Sequence, residues 1–113
     1  MQRDRLLLAE IVGSIERIVE LSAGRTSADI DHDRDRRDAL LWNFTVLGEA
    51  VGQVSDETKH AHPDVDWVAP VRLRNRIVHG YWSIDVDVLT ATAQDDLPSF
   101  LAAIQGVALP GDD

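Results

Sequence analysis

Only one stretch of this chain, Ile84-Asp85-Val86-Asp87-Val88, alternates apolar and acidic residues with the period of a β-strand. A lone strand has no partner to pair with, so a sheet cannot organise the fold. The stretch is read instead as a loop in which Asp85 or Asp87 caps a following helix. Elsewhere apolar residues recur three and four apart, which is the spacing of a helix face. The first stripe is Leu7, Ile11, Ile15, Ile18 and Val19, with Asp4 as the expected N-cap and Gly24 as the stop. Residues 25–34 are polar and read as a connection. A second helix, from about Asp35 to about Ser55, carries Leu40, Phe44, Leu47, Val51 and Val54. Gly48 and Gly52 lie beside that stripe. Two glycines in a helix cost about 1 kcal/mol each, and are tolerable where another helix must approach closely.

A short turn is expected over Asp56–Ala61, and Pro63 then breaks the chain. The third long helix is predicted from about Trp67 to His79, with Asp66 as N-cap and Pro70 delaying its regular part. The last helix carries Leu89, Ala93, Leu97, Leu101 and Ile104, with a kink at Pro98. The spacing therefore predicts one all-α domain over residues 1–109 and a short tail, 110–113. Short connections make neighbours antiparallel, giving an up-and-down bundle of four to five helices.

Composition narrows the chemistry. The chain has 113 residues, enough for one domain with a modest core. It has no cysteine, which excludes a disulfide scaffold, a thiolate metal site and a cysteine nucleophile. No apolar run is long enough to span a bilayer, and the N-terminus does not read as a cleaved signal, so a soluble cytoplasmic protein is expected. The net charge is −9, which opposes indiscriminate binding to nucleic acid. The charge is uneven, however. From Trp67 to Ile84 there is no acidic residue, and that window holds Arg72, Arg74, Arg76 and His79. A basic patch on an acidic body suits selective engagement of a phosphate, and arginine offers the fork that matches it.

On a helical wheel, Val71, Leu73, Ile77, Val78 and Tyr81 form an apolar arc, and Arg72, Asn75, Arg76 and His79 form the polar one. Arg74 falls inside the apolar arc. A cation there needs compensation from a carboxylate such as Glu49, from a subunit boundary, or from a bound phosphate. Asn75 and His79 are i and i+4, so Asn75 is expected to orient one imidazole nitrogen and leave the other for proton transfer. His79 also suits a purely structural role at a helix C-terminus. Gly80 lets the chain leave the helix, and Tyr81 follows. Histidine for proton transfer and arginine for a phosphoryl group are the two functions needed to cleave RNA through its own 2′-hydroxyl. That route needs neither a metal nor a protein nucleophile. The one histidine of this window supplies only one of the acid and base roles, and a homodimer supplies two.

Arg74-Asn75-x3-His79-x-Tyr81 resembles the Arg-x4-His-x-Tyr motif of HepT-like toxins, which are helical ribonucleases of the HEPN superfamily. Leu47-Gly48-Glu49-Ala50, Pro63, Trp67, Tyr81-Trp82, Ile84-Asp85 and Asp96-Leu97-Pro98 extend the resemblance over about three-quarters of the chain. The resemblance implies a dimeric HEPN-type bundle with two motifs facing each other across a cleft. It implies a metal-independent endoribonuclease toxin, without cofactor, with Arg74 and His79 catalytic and Asn75 supporting. It implies an RNA substrate, with Arg72 and Arg76 tracking the backbone, and a minimal nucleotidyltransferase antitoxin that in some systems transfers AMP to the tyrosine, here Tyr81. The alternative is a non-catalytic module that binds a nucleotide or docks the nucleotidyltransferase. A purely structural dimer is a third reading.

Other constellations fail on chemistry. Asp29, Asp31, Asp33 and Asp35 have the alternation of a calcium loop, but its sixth and twelfth positions need Gly and Glu. Counted from Asp29 they are Arg34 and Leu40; counted from Asp31 they are Arg36 and Trp42. His60 and His62 lack helical pairing and thiol partners. Trp42, Trp67 and Trp82 are expected in the core or at an interface.

Overall fold

The computed structural model describes residues 2–107, and among them all regular structure is helical. The order is α1 (Gln2–Ser22), α2 (Ser27–Asp31), α3 (Arg34–Gln53), α4 (Asp56–Ala61), α5 (Ala69–Gly80), a 3-10 turn (Tyr81–Ser83), α6 (Val86–Ala91), a π-helical turn (Thr92–Asp96) and α7 (Leu97–Gln105). The expected all-α bundle is what forms. The tail expected at 110–113 lies outside the described residues, as does the domain boundary before it.

The core follows the helical stripes. Ile11, Ile15 and Ile18 of α1 meet Leu40, Phe44, Leu47 and Val51 of α3, and all of these are buried. Side chains fasten the pair at both ends. Arg3 Nη2 donates to Gln53 Oε1 at 2.7 Å, and Arg36 Nη1 donates to the Leu21 carbonyl at 3.0 Å. The start of α1 thus meets the end of α3, so the two run antiparallel. The α5 helix packs on α3, while α7 and the π turn pack on α1.

The local signals were only partly as expected. Asp4 does not cap α1; it lies inside the helix, 3 % exposed, and faces the start of α4. Its Oδ1 accepts from the Ser55 N–H at 3.0 Å, and its Oδ2 accepts from the hydroxyls of Ser55 at 2.5 Å and Thr58 at 2.6 Å. Three donors converge there because Ser55 is itself the N-cap of α4, accepting from the Thr58 N–H. The connection 25–34 contains α2, held by a reciprocal cap. Thr26 Oγ1 accepts from the Asp29 N–H, and Asp29 Oδ2 accepts from the Thr26 N–H, at 3.1 and 3.0 Å. Asp85 is the N-cap of α6 and accepts from the Asp87 N–H at 2.8 Å. Gly24 has the left-handed φ of 69° expected of a helix stop.

Where a kink is expected at Pro98, the structure has a π turn directly before it, and the widened ladder accommodates a residue that cannot donate. From that turn Gln94 Nε2 donates to the carbonyls of Ser22 and Arg25, at 3.0 and 2.8 Å, and so ties the C-terminal helices to the turn that follows α1.

Burial alone would raise the pKa of Asp4. The Ser55 hydroxyl, the Thr58 hydroxyl and the Ser55 N–H outweigh it and hold the carboxyl below its ordinary value of 3.8. A lowered folded value means that the ionised group stabilises the fold above about pH 3.8 and that this contribution is lost as pH falls through the folded value. Asp4→Asn should therefore lower the unfolding free energy by about 1.5 kcal/mol at neutral pH. Urea denaturation followed from pH 7 downwards should show the gap between variant and wild type closing only in acid.

Candidate active site

Asp66 prepares the entry to helix α5. Asp66 Oδ1 accepts from the N–H groups of Val68 and Ala69 at 3.1 and 2.9 Å. Asp66 therefore caps from outside the helix, which starts two residues later than the sequence predicts. Pro70 is the reason: it occupies the first turn, where a proline ring is harmless. Trp67 is buried and its Nε1 donates to the His62 carbonyl at 2.9 Å, which fixes the approach of the chain.

The two glycines of α3 prove unequal. A methyl group on Gly48 would stand 2.5 Å from the Pro70 carbonyl oxygen and would collide with Cβ of Arg74. On Gly52 it would meet only Val71 Cγ2, at an ordinary 3.6 Å. Of the two, Gly48 is where α5 comes close, and it brings the backbone of α3 against the root of the Arg74 side chain.

Arg74 is held from there outwards. Its Nη2 forms an ion pair with Glu49 Oε2 at 3.2 Å, and its Nη1 donates to Asn75 Oδ1 at 3.0 Å. Nε is buried and has no hydrogen-bond partner. Glu49 therefore provides the compensation that the wheel demanded, although it is half exposed and lies at the rim, not in the core. Asn75 corrects an expectation. It does not hydrogen-bond to His79 among the described residues; its oxygen turns to Arg74. Asn75 and His79 are both exposed, so water competes for any bond between them, whereas the guanidinium offers Asn75 a charged donor.

His79 lies in the last turn of α5 with its ring exposed and makes no side-chain hydrogen bond among the described residues. At Gly80 the backbone extends, with φ −173° and ψ 55°, and the 3-10 turn follows. Tyr81 is 58 % exposed and packs edge-on against Trp82, ring centres 5.7 Å apart. Trp82 and Trp42 are also exposed, so neither belongs to the core of the chain. The apolar arc of α5 is only half used. Ile77 is buried, Val71 and Leu73 pack partly against the core, and Val78 and Tyr81 extend beyond α3 into solvent.

Arg72 and Arg76 project from another side of α5. They line an open groove of about 870 Å³ between α3, α5 and the C-terminal helices, floored by Phe44, Leu47 and Phe100. Asp64, Asp66 and Asp96 line the same groove. Neither arginine forms an ion pair among the described residues.

Arg74 and His79 thus share a helix without sharing a direction. Five residues of α-helix separate them by about 7.5 Å along the axis and roughly 140° around it. One chain offers an anion-binding group at the α3–α5 seam and a proton-transfer group at the helix end. No group of three or more His, Asp or Glu side chains is placed to hold a metal ion among the described residues, so neither the Asp29–Asp35 run nor His60 and His62 forms such a cluster. No described helix is long and apolar enough to cross a membrane.

Residues 11–107 match the family model described as Ribonuclease HepT-like. A protein of Thermococcus cleftensis named "Probable ribonuclease HepT" is 30% identical over 92 residues, covering 81% of this chain and 84% of that protein. A candidate RNase of Methanocaldococcus jannaschii is 22% identical over 103 residues, covering 91% and 85%. One of Caldanaerobacter subterraneus is 24% identical over 98 residues, covering 87% and 88%. No solved structure gives a significant match.

Proposed function

The chain belongs to the HepT-like ribonuclease family of the HEPN superfamily, and on that footing we propose that it is a metal-independent endoribonuclease whose active site is completed by a second copy of the chain. The observation that supports this reading best is the divergence of Arg74 and His79 on α5. Two such helices face to face bring two arginines and two histidines to one cleft, and the exposed Val78, Tyr81 and Trp82 supply apolar surface beside it. In that cleft one His79 removes the proton of a ribose 2′-hydroxyl. The 2′-oxygen attacks the adjacent phosphorus, and the bond to the 5′-oxygen breaks. The partner's His79 gives its proton to the leaving 5′-oxygen, leaving a 2′,3′-cyclic phosphate and a 5′-hydroxyl. Arg74 stabilises the charge that gathers on the non-bridging oxygens. Asn75 supports Arg74 in this role. Arg72 and Arg76 contact the RNA backbone further along.

The protein acts in this reading as a growth-arresting toxin with a minimal nucleotidyltransferase as its antitoxin. The exposed Tyr81 hydroxyl is where that partner acts: transfer of AMP from ATP to the oxygen releases pyrophosphate and leaves a phosphodiester near His79. The added group blocks the RNA phosphate by occupancy and by like charge. One observation favours a rival. Arg74 already has Glu49 and Asn75 as partners, as a structural arginine in a non-catalytic docking module would.

The test is incubation of RNA with the purified protein in excess EDTA. Cleavage leaving cyclic phosphate and 5′-hydroxyl ends is expected. Activity that disappears with the chelator contradicts the metal-free route. No cleavage by a protein whose intact mass shows an unmodified Tyr81 moves the assignment to the docking module.

A further inference from the structure

We infer that Glu49 is a positioning residue for Arg74, aligning its guanidinium for the scissile phosphate while moderating how tightly the site holds RNA; this rests on the ribonuclease reading. Three features of the α3–α5 seam lead there. First, the root of Arg74 cannot wander, because its Cβ lies where a side chain on Gly48 would be. Second, the guanidinium is gripped at both terminal nitrogens, by Glu49 Oε2 at 3.2 Å and Asn75 Oδ1 at 3.0 Å, and Nε is sealed inside. A guanidinium has five N–H donors, one on Nε and two on each terminal nitrogen. The Asn75 bond uses one donor of Nη1, whereas the contact to Glu49 is an ion pair that holds the charge in place, so each terminal nitrogen keeps an N–H donor. That pair is what bidentate recognition of two phosphate oxygens requires.

Third, the Glu49 carboxylate is at the rim, about half exposed. A surface ion pair of this kind contributes little to folding, so removing it should leave the bundle standing. It does place a negative charge beside the cation that meets the phosphate. Glu49 thus opposes RNA binding and favours a fixed arginine, and these two effects move different kinetic constants. A side chain that merely held the fold would not separate them.

The experiment compares wild type, Glu49→Ala and Glu49→Gln in steady-state RNA cleavage, with affinity for an uncleavable 2′-deoxy-substituted strand measured in parallel. For Glu49→Ala, kcat should fall about 10-fold or more while KM falls or stays level. Affinity for the uncleavable strand should tighten several-fold at low salt, because one opposing charge has gone. Glu49→Gln keeps a side chain of the same size with an oxygen beside Arg74 Nη2, so it should recover most of kcat while keeping the tighter binding. Wild-type kcat in Glu49→Ala, or equal loss of kcat in both variants with weaker binding, overturns the inference alone. A wild type that does not cleave RNA overturns the ribonuclease reading and this inference with it.

Discussion

His79→Ala should lose RNA cleavage by about 10²- to 10⁴-fold, the usual worth of a placed acid or base, while thermal unfolding stays where it is in the wild type. Both halves of that expectation come from the same placement. The ring projects into solvent at the end of α5 and holds no hydrogen bond among the described residues, so its removal orphans no buried partner. His79 is the only histidine in the Arg74–Tyr81 window, so the proton transfer has no obvious substitute there. In a dimer the substitution deletes both the base and the acid of each cleft, which places the loss towards the upper end. Single-turnover cleavage and a melting curve on the same preparation check it. A variant that cleaves at the wild-type rate would move the proton-transfer role away from His79.

The second large effect concerns stability. Gly48→Ala should cost about 2–3 kcal/mol in spite of alanine's better helix propensity. Propensity favours the change by about 1 kcal/mol, but the new methyl would meet the Pro70 carbonyl and the root of Arg74, neither of which can swing aside. Relief requires α5 to move off α3, and Arg74 moves with it, so cleavage should fall as well. Gly52→Ala is the matched control. Its methyl meets Val71 at ordinary contact distance, so propensity should win and the variant should be up to about 1 kcal/mol more stable. Chemical denaturation of the pair decides the matter, since opposite signs are expected from the same substitution one helical turn apart.

The bundle was legible in the sequence because its buried residues keep helical spacing over long stretches. Ile11, Ile15 and Ile18 recur along one face, and so do Leu40, Phe44, Leu47 and Val51. Where the reading went astray, a local signal had a distant partner. Asp4 stands where an N-cap would, but its hydrogen bonds run to Ser55 and Thr58, some fifty residues away. Helix α2 is five residues long, too short to show a period, and only the Thr26–Asp29 pair announces it. In the candidate site, the residues proposed to carry the chemistry stand out in the sequence by type and spacing. Their orientation does not, because a wheel assigns a face to Asn75 but cannot choose between His79 and Arg74 as its partner. Likewise Val78 and Tyr81 lie on the apolar arc, yet α3 covers only part of that arc.

The π turn in the C-terminal helices concerns angle more than shape. Leu89, Ala93 and Leu97 all reach the core, although they are spaced by four and then four again. In a uniform α-helix eight residues overshoot two full turns by about 80°, enough to carry Leu97 off the line begun by Leu89. The wider turn over Thr92–Asp96 absorbs that overshoot, so Leu97 and Ile104 arrive in phase with Leu89. Residues 86–105 thus contain one residue more than a uniform α-helix needs to bring Leu89 and Leu97 to the same face. That surplus residue makes the local widening from which Gln94 reaches across to the turn that follows α1.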